Sequence, residues 1–159
     1  MIGNAGPAGG FIFYDKGIFT DGWRYLEASP ADEEQAQWGA YNRDVTGTSE
    51  AVGTGKANTE KIVTNLNSFG ETGRAAQLCH TKSLNGLTGW FLPSIKELNI
   101  MYQNLHTEGK GNFNATQTPI YWSSSQLGDV EALIQNFENG DTGNVLKNLN
   151  RRVRAIRAY

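Results

Sequence analysis

The pattern of apolar and polar residues divides the chain into three stretches, the first of which covers residues 6–41. The apolar aromatic run at 11–14 predicts a short strand that ends in a turn at 15–17. Residues 23–27 alternate between apolar and polar side chains and predict a second strand, which can pair with the first as a hairpin with a longer loop. Asp32, Glu33 and Glu34 then form a small acidic cluster, for which we expect a solvated loop or the start of a helix.

The middle stretch, about 54–108, carries the helical patterns. The spacing of Ala57, Ile62, Val63 and Leu66 predicts one face of a first helix, and residues 75–79 predict a second, short one. The third is the clearest, because residues 94–97 have the S-x-x-E form of a capping box and apolar side chains follow at helical spacing. Residues 90–92, just before it, predict a short buried segment.

The third stretch, 118–159, has the pattern of strands and turns. It predicts strands at 121–125, 133–137, 144–149 and 152–159, with a hairpin turn at 139–143. Because the strands and helices are segregated along the chain, we expect the α+β class. No linker divides the sequence, so we expect one domain over 1–159.

Composition and charge narrow the class of protein. Aromatic residues make up 11% of the chain and the formal net charge is −2, which argues against disorder and against a general nucleic-acid binder. No run of about 18 apolar residues exists, so we expect no insertion into a membrane. Residues 1–10 show neither the basic start nor the apolar stretch of a signal peptide.

The residues that could carry catalysis or bind a cofactor form no complete motif. Cys79 is the only cysteine, and adjacent helical residues project in different directions, so a half-buried thiol beside a surface His80 is favoured over a catalytic pair. Residues 53–56 read Gly-Thr-Gly-Lys but lack the first glycine and the final Ser or Thr of a phosphate loop. We therefore expect no cofactor, no metal site and no enzymatic activity.

A group of basic residues lies near the C-terminus: Lys147, Arg151, Arg152, Arg154 and Arg157. One interpretation is an exposed site for sulfate or carboxylate groups, since guanidinium groups bind such anions in a bidentate manner. The other is structural, with some of these arginines paired to the acidic cluster at 32–34. The sequence favours the second interpretation and leaves both open.

Nine segments, taken in order, resemble a known family. They are residues 6–15, 21–30, 53–59, 75–79, 89–94, 97–102, 121–125, 135–137 and 152–157. The set includes Gly-Trp-Phe-Leu-Pro-Ser at 89–94 and Tyr-Trp-Ser-Ser-Ser at 121–125, and it covers nearly the whole chain. It resembles the C-terminal domain family of bacterial collagen-like adhesins, the Lcl C-terminal domain.

This resemblance implies a C-type-lectin-like fold of the branch that contains formylglycine-generating enzymes, with short twisted antiparallel sheets and two to three helices. It also implies an extracellular or cell-surface role in binding a protein or glycan ligand, including sulfated polysaccharide in the adhesin members. The calcium-lectin signatures E-P-N and Q-P-D are absent. The enzyme branch uses a pair of cysteines, whereas this chain has Cys79 alone, so the resemblance points to binding without catalysis.

The chain departs from the family pattern between residues 127 and 151. Family-like residues, such as Gln135, Phe137 and Lys147, are interleaved with atypical ones. Such interleaving resembles the variable proteins of diversity-generating retroelements, in which adenine mutagenesis changes Asn codons near the C-terminus of a lectin-like domain. The resemblance implies a binding region at about 121–159. Its varied, ligand-contacting positions would be Leu127, Asp129, Val130, Leu133, Ile134, Asp141, Thr142, Asn144, Val145, Leu146, Asn148, Leu149 and Arg151.

Three leucines in this polar, turn-rich region can be interpreted in two ways. If Leu133, Leu146 and Leu149 are exposed together, they form an apolar patch of the kind that marks a binding site. Alternatively, they are ordinary core residues on strands. The sequence alone does not choose between the two.

Overall fold

The computed structural model describes residues 1–159 and has a mixed α+β architecture, as predicted, with two small antiparallel sheets and three α-helices. The strands are β1 (Phe11–Thr20), β2 (Trp23–Ala28), β3 (Trp90–Phe91), β4 (Ile120–Leu127), β5 (Glu131–Asn136), β6 (Thr142–Leu146) and β7 (Ile156–Ala158). The helices are α1 (Gly55–Ser68), α2 (Ala75–His80) and α3 (Ile95–Asn104), and a 3₁₀ helix follows at His106–Glu108. The strand order is β1-β2-β7-β3 in the first sheet and β4-β5-β6 in the second.

The first two strands form a longer hairpin than the sequence predicts. Its turn lies at Asp21 and Gly22, whose φ angles of 53° and 79° are those of a type I′ turn, which an Asp-Gly pair suits. The turn predicted at 15–17 is wrong. Gly17 has a φ of 86° and the register shifts between Asp15 and Thr20, so this segment is a bulge within β1.

The C-terminal segment joins the two sheets. β7 pairs with both β2 and β3 in the first sheet, while Arg152 bridges to Tyr121 of β4 in the second. Only Ile156–Ala158 of the strand predicted at 152–159 is regular, because the residues before it cross from one sheet to the other.

The helices follow the sequence patterns closely. α1 buries the face that carries Ile62 and Leu66, although Ala57, predicted on that face, is exposed. α3 begins at the predicted capping box: the Ser94 hydroxyl accepts from the Glu97 N–H at 3.2 Å, and the Glu97 carboxylate accepts from the Ser94 N–H at 2.7 Å.

Two buried glutamates hold the glycine-rich loops in place. The Glu97 carboxylate also accepts from the Gly53 N–H at 2.8 Å, and the Glu27 carboxylate accepts from the Gly10 N–H at 2.8 Å. A Cβ atom at Gly10 would lie 2.0 Å from the Ala28 carbonyl oxygen, so this loop requires glycine. The Glu97 carboxylate thus fills the loop at 53–56. Burial of this carboxylate raises the pKa of Glu97.

Buried aromatic side chains form the centre of the core. Trp38, Trp90 and Trp122 are fully buried, and each ring N–H donates to a backbone carbonyl at 2.8–3.0 Å. A second cluster packs α3 against Tyr121 and Phe137 of the second sheet region. These contacts fix the position of α3 beside the second sheet.

The second sheet contains the predicted binding region. β4 and β5 agree with the strands predicted at 121–125 and 133–137 to within two residues. β6 covers 142–146 instead of 144–149, because the chain leaves the sheet at Lys147, whose carbonyl accepts from the Trp38 and Gly39 N–H groups.

Candidate functional site

One face of the second sheet collects many of the predicted positions. Glu131 of β5 lies opposite Leu127 of β4 and Leu146 of β6, and Leu133 lies opposite Asn144. Residues directly opposite each other share a face of the sheet, so these side chains lie together. We define the outer face as Leu127, Glu131, Leu133, Thr142, Asn144 and Leu146.

Two loops extend the outer face at one end. The turn 128–130 and the loop 147–150 meet there, since the Lys147 N–H donates to the Val130 carbonyl at 2.9 Å. Leu149 lies in this loop, and its N–H donates to the Leu146 carbonyl at 3.2 Å. Leu127, Leu146 and Leu149 are 48%, 39% and 37% exposed, so three large apolar side chains meet solvent in this part of the molecule.

The thirteen predicted positions differ in burial. Eight are exposed: Leu127, Asp129, Asp141, Thr142, Asn144, Leu146, Asn148 and Leu149. Four are half-buried: Val130, Leu133, Val145 and Arg151. Asp141 lies at the end of the sheet opposite the two loops, directly before β6.

Ile134 and Val145 face the interior. Ile134 is buried in the first core cluster opposite Trp122, and Val145 packs against the same cluster. Each is the strand neighbour of an outer-face residue, and successive side chains point to opposite faces of a strand. These two residues therefore do not lie on the outer face, which corrects the prediction.

Leu133 agrees in part with each of the two interpretations, as an exposed residue and as a core residue. It points to the outer face, yet it packs against the second core cluster beside α3. Leu146 and Leu149 are exposed, and so is Leu127, which Glu131 of the central strand separates from Leu146.

Of the five family-like residues between the predicted positions, three lie inside and two, Asn136 and Gly140, are half-buried. Gln135 and Phe137 are fully buried. The Gln135 amide donates to the Asn99 side-chain oxygen at 2.8 Å and to the Gly140 carbonyl at 3.0 Å. Gln135 thus ties α3 and the β5–β6 turn to the sheet.

Lys147 is a structural cation. Its ammonium group is buried, lies 4.7 Å from the centroid of the Trp38 ring, and donates to the Gln126 side-chain oxygen at 2.8 Å and the Arg43 carbonyl at 2.9 Å. Burial lowers the pKa of Lys147 to about 8.

A cleft of about 280 Å³ lies between α3 and the outer face. Its lining residues are Glu50, Ile95, Lys96, Asn99, Leu133, Thr142, Gly143 and Asn144. The sequence did not predict the first four, and for the three on α3 the reason is that the capping box locates the start of this helix but does not show which strand it faces. The cleft has the size of one side chain or one sugar ring and is just below the range of about 300–1,000 Å³ that holds small molecules.

The C-terminal arginines do not form an exposed basic cluster. Arg154 is fully buried and pairs with Asp32 at 2.7 Å, and Arg152 pairs with the same carboxylate at 3.4 Å. The structural pairing with the acidic cluster is confirmed for Arg152 and Arg154, so neither these two nor the buried Lys147 offers an exposed cation. The solvated loop predicted at 32–34 is correspondingly wrong for Asp32 and for Glu33, which pairs with Lys82 at 2.5 Å.

The Cys79 thiol is fully buried in the first core cluster instead of half-buried as predicted, and burial raises the pKa of Cys79 well above its ordinary value. His80 is exposed, so the two side chains do not converge on a site. No group of three or more His, Cys, Asp or Glu side chains is placed to hold a metal ion. None of the helices has the length and apolar character needed to cross a bilayer.

Comparison with known proteins gives a fold likeness alone. No protein-family model matches the chain, and no curated protein matches it. A crystal structure of a fimbrial protein from Bacteroides ovatus is similar, with a TM-score of 0.62 and 17% sequence identity over 86% of this chain. The chain spans 36% of the length of that protein.

Proposed function

We propose that the chain is a non-catalytic ligand-binding domain, a receptor or adhesin diversified by a retroelement, which displays a variable surface on a C-type-lectin-like scaffold. The outer face and its adjoining loops form the ligand-binding site. The site acts by contact, through side chains that a rigid frame presents.

The observation that carries the proposal is the separation of the two kinds of residue. The atypical positions are mostly exposed, whereas Gln135, Phe137 and Lys147, which follow the family pattern, are buried. A surface that changes between variants must leave the core contacts intact. The placement of exposed and buried positions meets that requirement with three exceptions: Ile134 and Val145, which face the first core cluster, and Leu133, which packs against the second.

The chemistry of the surface suits a protein or glycan ligand. Three exposed leucines stand beside amide and carboxylate side chains such as Asn144 and Glu131, which bond to each other at 2.9 Å. Exposed apolar patches rimmed by polar residues mark interaction sites. The fold likeness to a fimbrial protein supports a place at the cell surface or outside the cell.

The DNA around the gene tests the proposal directly. We expect a near-copy of the segment that encodes residues 121–159, differing from it mainly at adenines, next to a gene for a reverse transcriptase. A gene neighbourhood without such a copy would contradict the retroelement origin. Differences spread evenly over all four bases would contradict it as well.

A further inference from the structure

The outer strand of the second sheet has an open backbone edge. β6 pairs with β5 on one side only, since the sheet order is β4-β5-β6. The register shows which of its groups are free: the Asn136 N–H donates to the Asp141 carbonyl and the Lys147 N–H donates to the Val130 carbonyl. Hydrogen-bonded pairs alternate with unbonded ones in an antiparallel ladder, so the bonded residues of β6 are 143 and 145.

The alternate residues of β6, Thr142 and Asn144, therefore direct their N–H and C=O groups away from the sheet. Neither residue makes a backbone hydrogen bond to another part of the chain outside the strand ladder. The Leu146 N–H points the same way, while its carbonyl accepts from Leu149. The edge thus offers a regular row of donors and acceptors at the spacing of a β-strand.

The other sheet edges are covered, irregular or short. Residues 3–5 bond to the start of β1, and its later part carries a bulge and Lys16. β3 has two residues, and the outer edge of β4 bonds to Arg152. β6 is regular in register and contains no proline, no charged residue and no bulge, the devices that normally protect an exposed edge.

The cleft beside this edge can hold a side chain of a strand that is added to β6. Thr142 and Asn144, whose backbone groups are free, also line the cleft with Leu133 and Asn99. A strand added to β6 would place every second side chain on the outer face, next to the mouth of the cleft.

From the open edge of β6 and the adjoining cleft we infer that the ligand is a protein, bound through an extended segment that adds to β6 as an antiparallel strand. The inference rests on the proposed function and specifies its partner. Backbone bonds at Thr142 and Asn144 supply sequence-independent affinity, and side chains in the cleft supply specificity. This division suits a varied surface, because a backbone N–H survives almost every substitution.

A phage-displayed library of linear decapeptides, selected on the folded chain, tests the inference. Asn144→Pro removes one outward N–H at a position where an edge strand tolerates proline. Asn144→Ala changes the same side chain and keeps the N–H, so it is the matched control. Both variants lose the Asn144 side chain, so the difference between them reports the N–H, and we expect enriched decapeptides to bind Asn144→Pro at least about tenfold more weakly than Asn144→Ala.

Amide exchange of the parent chain, measured by NMR with an enriched decapeptide bound, gives a second readout that does not need the proline variant to fold. Exchange should slow at Thr142, Asn144 and Leu146. Unchanged exchange at these amides, equal binding by the two Asn144 variants, or a library that yields no binder overturns the inference. So does a concentration-dependent dimer abolished by Asn144→Pro, because the edge would then take a second copy. The proposed function is tested separately, by the presence or absence of the template copy in the DNA.

Discussion

Removal of the Asp32 carboxylate should destabilise the fold strongly, although Asp32 lies in a polar loop. The guanidinium of Arg154 is fully buried and would keep its bonds to backbone carbonyls at Ser29 and Asn112, 2.9 and 3.1 Å away, but lose its counter-charge. Loss of one partner of a buried pair costs about 3–5 kcal/mol. Because the Asp32 side chain is 16% exposed and the carbonyl bonds remain, we expect the lower end, about 3 kcal/mol, for Asp32→Ala.

Urea unfolding followed by tryptophan fluorescence measures this loss, since three of the four tryptophans are buried. In a chain of this length the thermal midpoint should fall by roughly 6–12 °C. Glu34→Ala is the matched control, because Glu34 is exposed and its removal should change stability by less than about 0.5 kcal/mol.

The tyrosine beside the pair gives an independent readout. The Tyr121 hydroxyl donates to Asp32 at 2.9 Å, and burial and the Asp32 charge together raise the pKa of Tyr121. Asp32→Ala should therefore lower the pKa of Tyr121 in an ultraviolet titration. Equal stability of Asp32→Ala and Glu34→Ala would refute the buried pairing and restore the interpretation of these arginines as an exposed anion site.

Two further predictions concern the frame. Gly10→Ala should lower the free energy of unfolding by about 1–3 kcal/mol, because its Cβ would lie 2.0 Å from the Ala28 carbonyl oxygen. Gly143→Ala is the control, because the atom nearest to its Cβ would be 3.7 Å away. Equal effects of the two substitutions in urea unfolding would refute the close approach at Gly10. For Lys147, burial lowers the pKa to about 8 from 10.5, so the unfolded chain binds the proton more tightly and stability should rise with pH between about 8 and 10. Lys147→Met should remove this rise, which is measured as the free energy of unfolding at a series of pH values. If the free energy of unfolding of Lys147→Met rose with pH as steeply as that of the parent, Lys147 would not be the cause.

The sequence predicted the fold class and the positions of most elements, because their signals are local. The capping box at Ser94 and Glu97 fixes the start of α3, and the apolar spacing fixes its buried face. The turn predicted at 15–17 failed because a glycine with positive φ serves a bulge as well as a turn, and only the partner strand distinguishes them.

The site was predicted in part. The polar, turn-rich context of Leu146 and Leu149 allowed both an exposed and a core position, and the inward direction of Ile134 and Val145 depends on register. The pairing of Arg154 with Asp32 spans 122 positions, so the sequence favoured ion pairs with the acidic cluster but no local pattern identified which residues form them. The cleft beside α3 is a product of the same long-range packing.

The most direct test of the central claim is the tolerance of the scaffold to change at the exposed positions. One library randomises Leu127, Asp129, Asp141, Thr142, Asn144, Leu146, Asn148 and Leu149 together, and a control library randomises Ala132, Ile134, Gln135, Phe137 and Lys147. The fraction of displayed clones that resist protease at the temperature of the parent measures folding. We expect most clones of the first library and almost none of the second to resist. An equally low fraction in both would show that the outer face holds the fold, and would contradict its role as a variable binding surface.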